Sequence, residues 1–388
     1  MKALLPPKPA QAPPGNALPG ITVVIPSRNG KHLLETALPG VERELEAIPS
    51  EIIIVDNGSS DGTADSFPQA IIEVSAEPLS FARAVNRGIR RARYPHICLL
   101  NNDMIVEPGF FHALREAFNR VPDLFCATAQ IFFPPGVRRE ETGKAVMAHD
   151  AATDFPLRCD LPIPGEDGSY VLYGSGGCSL YDAGKLRALG DVPEIYTPAY
   201  VEDLDLGYRA WARGWPTVFV RDARVEHRHR ATSSRYYSEE QLAAILEMNY
   251  LRFLISAVAS PAVFGRLWRE AIERLRLLGA NDALRYACGA PLRTPRPVVA
   301  TLAEEEFLAL TRGDVAVFPG RAGSGKAFVV RSVKELENPS PELLDAYAEV
   351  VLVKDEEDSL AYRAATRQTE RKWSVQSPSS ANARRVSS

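Results

Sequence analysis

Four short, uninterrupted apolar runs stand in the first hundred residues. Ile21-Thr22-Val23-Val24-Ile25 stops at Pro26, and Ile52-Ile53-Ile54-Val55 stops at Asp56-Asn57-Gly58. Ala70-Ile71-Ile72-Glu73-Val74 follows, then Ile97-Cys98-Leu99-Leu100, ended by Asn101-Asn102-Asp103. Runs that are apolar on both faces are what strands buried in a parallel sheet require. Between the first two runs, Leu33, Leu34, Leu38, Val41 and Leu45 recur at helical spacing. Before the fourth, Ser80 is placed to cap a helix whose Phe81, Val85 and Ile89 repeat every four residues. The alternation predicts an α/β fold, a doubly wound and mostly parallel central sheet.

Farther along, residues 134–170 are rich in Pro and Gly without a period and read as a long loop region. Gly174-Ser175-Gly176-Gly177 precedes a strand over Cys178–Tyr181. A helix following Tyr200 runs through Arg213 and is closed by Gly214; Thr217–Val220 is a further strand. Residues 238–278 are helical, with a break at Ser260-Pro261. Asp314–Phe318, Ala327–Val333 and Glu349–Val353 read as strands. The expected organisation is a Pro-rich, extended leader over 1–20 and a main α/β domain over 21–237. A helical extension over 238–290, a small α/β appendage over 296–370 and a disordered Ser-rich tail over 374–388 follow.

Composition narrows the class. Hydrophobic residues at 45% and charged residues at 24% describe a globular chain and exclude a fibrous or wholly disordered one. A formal net charge of −4 leaves no electrostatic footprint for nucleic acid. Five cysteines, an odd number with no CxxC pair, read as reduced thiols in a cytoplasmic protein. The first residues lack the apolar core of a signal peptide, and no run approaches the ~20 apolar residues of a membrane span. Peripheral contact with the inner face of a membrane would fall to residues 248–278. There Leu251, Phe253, Leu254, Val263, Phe264 and Trp268 interleave with Arg252, Arg266, Arg269, Arg274 and Arg276. The favoured alternative is a helix pair packed on the main domain.

In a sheet of this kind ligands bind at the carboxyl ends of the strands. Ser27-Arg28-Asn29, Asp56 and Asn101-Asn102-Asp103 all fall there, which predicts one site built from three loops. Turns alone favour Asp, Asn and Gly, but three such loops on one face outweigh that explanation. A carboxylate at the sheet edge, Asp103, suits a hard divalent cation, Mg2+ or Mn2+. Glu202 and Asp203 lie at a helix start, where the dipole favours ionised carboxylates, and an ionised carboxylate in a cleft serves as a general base. The bland reading makes them ordinary first-turn acids. His227 and Arg230, in a segment with four arginines and two histidines over 221–230, offer a metal ligand and a phosphate contact. Gly320 to Lys326 has P-loop spacing, but Ala327 follows where Ser or Thr is needed. That segment is read as a Gly-rich hairpin loop.

Val23 to Gly30, Ile53 to Thr63 (including Asn57-Gly58-Ser59-Ser60-Asp61-Gly62-Thr63), Asn86-Arg87-Gly88-Ile89 and Leu99 to Asp103 resemble the serial motifs of glycosyltransferase family 2. The series continues in order through Gly174 to Leu180, Gly190-Asp191, Glu202-Asp203-Leu204-Asp205-Leu206, Arg209, Gly214 and Val225-Glu226-His227, covering about residues 21–235. The resemblance implies a GT-A fold, a nucleotide-sugar donor, a divalent metal and inversion at the anomeric carbon. It implies Asp56 at the nucleotide base and the Pro26-Ser27-Arg28-Asn29 loop at base and ribose. Asn86, Asn101, Asn102, Glu202 and Arg230 complete the implied donor-binding set. Asp103 and His227 would hold the metal, and Asp203 would be the base toward the acceptor hydroxyl. Asn101 departs from the family's DxD element, in the manner of members resembling rhamnosyl- and O-antigen transferases. The implied role is cell-surface polysaccharide or glycoconjugate synthesis on a saccharide or lipid-linked acceptor. A non-catalytic nucleotide-sugar-binding pseudoenzyme is the alternative, opposed by the retention of Asp103 and Asp203. A sugar-nucleotide pyrophosphorylase lacks support, because Pro26 to Asn29 stands where its Gly-rich loop belongs.

Overall fold

The apolar runs become neighbouring strands of one sheet. β1 (Ile21–Ser27), β2 (Ser50–Asn57), β3 (Ile71–Ser75) and β4 (His96–Leu100) lie parallel in the order β3-β2-β1-β4. Side chains alternate between its two faces, and the core divides accordingly. Val23, Ile25, Ile52 and Ile54 pack with Leu34, Leu38 and Val41 of α1 (Lys31–Leu45) on one side. Val24, Ile53 and Val55 pack with Val85 and Ile89 of α2 (Phe81–Arg91) on the other. Ser80 caps α2 as its position in the sequence implies, accepting from the Arg83 backbone N–H. This computed structural model describes residues 20–121, 123–132, 134, 170–228, 236–290 and 300–311, together with four short strands at 145–147, 157–159, 315–319 and 347–352.

Beyond β4 the sheet stops being purely parallel. β5 (Met104–Val106), α3 (Phe110–Arg120) and β6 (Cys126–Phe132) follow β4 in the chain. β7 (Ala145–Met147) and β8 (Leu157–Cys159) form a separate antiparallel pair inside the segment read as loop, and β9 (Tyr170–Val171) closes it. β10 (Cys178–Asp182) inserts antiparallel between β4 and β6, and leads into α4 (Ala183–Ala188). α5 (Glu202–Ala212) precedes β11 (Thr217–His227), which is parallel to β6 and carries β5 and β9 on its outer side. Because β10 runs backwards, the loop in front of it arrives at the same edge as the carboxyl ends of β1, β2 and β4. That reversal positions the site. β11 extends seven residues past the expected Val220 because Ala223 and Val225 continue the buried alternation, both 0% exposed.

The C-terminal helices are α6 (Glu239–Ala257), α7 (Pro261–Leu277) and α8 (Asn281–Gly289), broken at Ser260-Pro261 as expected. Ser238 and Gln241 form a capping box at the start of α6. Leu251, Phe253, Leu254, Val263 and Leu267 are buried, and Phe264 stacks on Trp268 against the core. Arg274 is 1% exposed and pairs with Glu247 at 2.6 Å. The apolar side of this stretch packs inward, in keeping with the packed helix pair, while Arg266, Arg269, Arg276, Leu277 and Leu278 are exposed. Among the described residues no helix is long and apolar enough to cross a membrane. α9 (Glu304–Leu310) sets Phe307 against Tyr208 and Trp211 of α5. Residues 300–311 therefore pack on the main body. β12 (Val315–Pro319) and β13 (Tyr347–Leu352) pair antiparallel, as two of the three expected strands. The third, the Gly320–Lys326 loop, residues 1–19 and the tail lie outside the described residues.

Candidate active site

Asp56 ends β2 directly beside Ser27 at the end of β1, the two being register partners. It is 3% exposed, and its Oδ1 accepts from the Ser59 backbone N–H at 3.1 Å. The loop after β2 folds onto the loop after β1 through paired hydrogen bonds. Asn29, in the left-handed region at φ 49°, donates its backbone N–H to Ser59 Oγ at 2.9 Å and accepts from the Ser60 N–H at 2.8 Å. Asp61 accepts from the Lys31 N–H at the start of α1 (2.9 Å) and from Thr63 Oγ1 (2.6 Å). Burial would raise the Asp61 carboxyl, but these hydrogen bonds outweigh it and hold the group below its ordinary value. Pro26 sits half-buried within β1. The Arg28 guanidinium lies 4.2 Å from the Tyr236 ring centroid, and Asn29 Nδ2 donates to the Tyr236 hydroxyl at 3.4 Å. No periodicity or motif in the sequence singled out Tyr236.

The turn after β4 is bound on both sides. Asn102 Nδ2 donates to Ser27 Oγ at 2.9 Å, and Gly30 gives it room, since a Cβ there would fall 2.2 Å from that nitrogen. The Asn101 backbone N–H donates to Gly177 O at 2.8 Å. Asp103 is 6% exposed, and its Oδ1 is buried without a hydrogen-bond partner. His227 Nε2 stands 3.6 Å from that oxygen, and the Arg228 N–H donates to Asp103 O at 3.0 Å, joining the end of β11 to this turn. An orphaned carboxylate oxygen facing an imidazole is a donor set that fits a divalent cation. Among the described residues no group of three or more His, Cys, Asp or Glu side chains could hold a metal. Water and substrate oxygens would therefore complete the sphere, as Mg2+ in particular prefers. Arg230 lies outside the described residues.

Asp203 and Glu202 open α5 on a strained approach. Tyr200 and Val201 carry φ of 75° and 79°, a region that a β-branched residue such as valine rarely adopts. Asp203 Oδ2 accepts from the Gly176 N–H at 3.2 Å and Oδ1 from the Leu204 N–H at 2.9 Å. Burial raises the Asp203 carboxyl to about 6, although these backbone N–H groups pull it back. Glu202 is buried with Oε2 lacking a partner; burial, then the charge of Asp203, push its carboxyl well above the ordinary range. Both carboxyls are thus pushed toward the protonated form, each by burial. Asp205 serves the fold instead, accepting from Tyr196 Oη at 2.5 Å and pairing with Arg209.

The structure brings these residues together through a continuous chain of contacts. Asp56 adjoins Ser27, Ser27 holds Asn102, Asn101 and Asp203 grip the adjacent residues Gly177 and Gly176, and His227 faces Asp103. Gly176 itself, the hinge of that chain, stood in the GSGG run but had no assigned role. Asn86 is held away from this chain of contacts by other partners. Its Nδ2 donates to Val192 O (2.8 Å) and Glu194 Oε1 (3.1 Å), and its Oδ1 accepts from the Val192 N–H (3.0 Å). Its amide pins the 192–194 loop, so in this structure Asn86 acts as a structural clamp.

Carboxylates and amides thus gather at the carboxyl edge of the sheet, where folds of this kind bind their ligands. Residues 19–243, more than half of the chain, match the family described as glycosyltransferase like family 2, and the chain belongs to it. It is 28% identical to N-acetylglucosaminyl-diphospho-decaprenol L-rhamnosyltransferase of Mycobacterium tuberculosis over 55% of this chain and 79% of that protein. It is 27% identical to validoxylamine A glucosyltransferase of Streptomyces hygroscopicus subsp. jinggangensis over 67% of this chain and 68% of that protein. Among solved structures, GalNAc-T7 with UDP, GalNAc and Mn2+ shares the fold, with a TM-score of 0.52 at 17% identity. That match covers 62% of this chain and only 49% of the other. The GT-A expectation is met.

Proposed function

We propose that the chain moves a glycosyl group from a nucleotide-diphosphate sugar to an acceptor hydroxyl in one displacement that inverts the anomeric centre. The Asp203 carboxylate accepts the acceptor's proton as its oxygen forms the new bond to the anomeric carbon. The bond from that carbon to the diphosphate breaks on the opposite face, and the nucleoside diphosphate leaves. One base and no carboxylate nucleophile are needed, unlike a retaining glycosidase with its covalent intermediate. Asp56 and the Pro26 to Asn29 loop bind the nucleoside, with Tyr236 over Arg28. Glu202, its carboxyl pushed well above the ordinary range by burial and by the charge of Asp203, stands beside the base. A divalent cation, Mg2+ or Mn2+, on Asp103 and His227 supplies charge to the diphosphate when bound.

The observation that carries this reading is the shared grip on Gly176 and Gly177, which ties the base to the turn bearing Asp103. The rhamnosyltransferase relative is named for a lipid-diphosphate-linked acceptor, which supports a saccharide or lipid-linked acceptor in surface glycan synthesis. The test is release of nucleoside diphosphate from UDP-glucose, UDP-N-acetylglucosamine, dTDP-rhamnose and GDP-mannose, each with Mn2+ and a decaprenyl-diphosphate-linked N-acetylglucosamine acceptor. Acceptor-dependent release with one donor is expected. Binding of a donor without release or transfer would convert the reading to that of a sugar-nucleotide-binding protein.

A further inference from the structure

The helical extension reaches the base through one buried side chain. Asn249 of α6 is 0% exposed. Its Nδ2 donates to two consecutive carbonyls, Ala199 O at 2.8 Å and Tyr200 O at 3.1 Å. Its Oδ1 accepts from the Arg252 guanidinium at 2.7 Å. Only one orientation of the amide satisfies these three partners, because carbonyls need a donor and a guanidinium needs an acceptor. The carbonyls it holds belong to the segment where Tyr200 and Val201 carry left-handed φ, immediately ahead of Glu202 and Asp203. Val201 is the N-cap of α5 and supplies no side-chain capping bond. Two successive non-glycine residues in that region persist only where the surroundings over-determine them. On the other side of the segment, Pro198 O accepts from the Phe81 N–H at 3.0 Å.

From this geometry we infer that Asn249 is a positioning residue, holding the strained 199–201 segment so that Asp203 meets the acceptor hydroxyl. The inference rests on Asp203 being the base. It assigns the extension a part in catalysis, exerted through the 199–201 segment. Arg252 orients the amide from the partly exposed side of α6, where it also lines a cleft with Thr197, Met248 and Arg285.

The experiment compares Asn249→Ala, Asn249→Ser and Asp203→Asn in the full chain. Each variant is assayed with the nucleotide sugar, among the four named above, that the unaltered protein turns over. Asn249→Ala removes both donor bonds; Asn249→Ser differs from it by one hydroxyl donor, a bond shorter than the amide. The expected result is a fall in kcat of about a hundredfold for the alanine variant, the scale of a misplacement near 1 Å. The donor KM should stay within about threefold, because the nucleoside loops are untouched, and serine should recover part of the lost kcat. An equal rise in KM, or a kcat unchanged from the parent, overturns the inference. Should the alanine variant fail to fold, Arg252→Met is read in its place, with a smaller drop in kcat at constant KM expected and no drop overturning it. Asp203→Asn separates the two claims. If it is inactive while Asn249→Ala is normal, only the positioning role fails; if it keeps turnover, the base assignment itself has failed.

Discussion

The Gly176 backbone N–H donates to Asp203 Oδ2 at 3.2 Å, so the proposed base is oriented by a loop and not by another side chain. One residue later the same loop accepts from Asn101. A Cβ on Gly177 would lie 2.4 Å from Asn101 Nδ2, so the loop must be bare at this point for the two acidic elements to approach.

Asp203→Asn keeps the shape and an oxygen for the Gly176 N–H but cannot take a proton. Turnover should fall by about 10²–10⁴-fold, the usual contribution of a general base. Donor affinity, measured by calorimetry, should change little. Wild-type turnover would remove Asp203 from the base role.

The raised Asp203 carboxyl predicts a pH dependence in two observables. Below about 6 the group is protonated, so kcat/KM should fall as pH drops through that value. For stability the sign is the reverse. The ordinary value is 3.8; between that and about 6 the unfolded chain ionises while the folded one resists. The contribution is fully present below the ordinary value and is lost as pH rises through the folded one. Denaturant midpoints measured across this window should show that loss in the parent and not in Asp203→Asn.

Asp103→Asn replaces the charged partner of His227 by an amide. The apparent affinity for Mn2+ in donor binding should weaken by about tenfold or more, since even outer-sphere partners of metal ligands contribute 10–100-fold. Donor affinity in the presence of EDTA should be the same in both proteins. A Mn2+ titration that is unchanged would take the metal away from Asp103.

Gly30→Ala places a methyl 2.2 Å from Asn102 Nδ2 and 2.7 Å from Ser27 Oγ. The Asn102–Ser27 hydrogen bond must then break or the loops shift. A loss of about 1–3 kcal/mol from overpacking, read as a lower Tm, should accompany weakened nucleoside diphosphate binding.

Glu247→Ala leaves the 1%-exposed Arg274 guanidinium without its carboxylate at 2.6 Å. Breaking a buried pair from one side costs about 3–5 kcal/mol, so chemical denaturation should show a large loss. Glu247→Leu combined with Arg274→Met should lose much less, because no buried charge is stranded.

The parallel half of the sheet was legible because its strands are buried on both faces and so read as unbroken apolar runs ended by polar turns. The same signal failed for β5 and β9, which are three and two residues long. Nor does it distinguish β10, an apolar stretch whose direction no local pattern encodes. Among site residues, Asp56, Asp103, Asp203 and His227 were each legible from chemistry and motif, and the structure links them. The clamp role of Asn86 was not legible, because its motif position says nothing about where an amide on a packed helix finds its partners. Tyr236 and Asn249 were silent, since one contacts a loop 207 residues away and the other carbonyls 49 and 50 residues away.

The sequence alone determined which side chains end the strands and start α5, because apolar periodicity and helix chemistry are local properties. Only the tertiary structure decided that β10 runs against its neighbours and delivers Gly176 and Gly177 to the strand ends. It alone decided, too, that α6 braces the segment before Glu202 and Asp203. Both depend on pairings between distant segments, which short-range patterns of burial and charge do not specify.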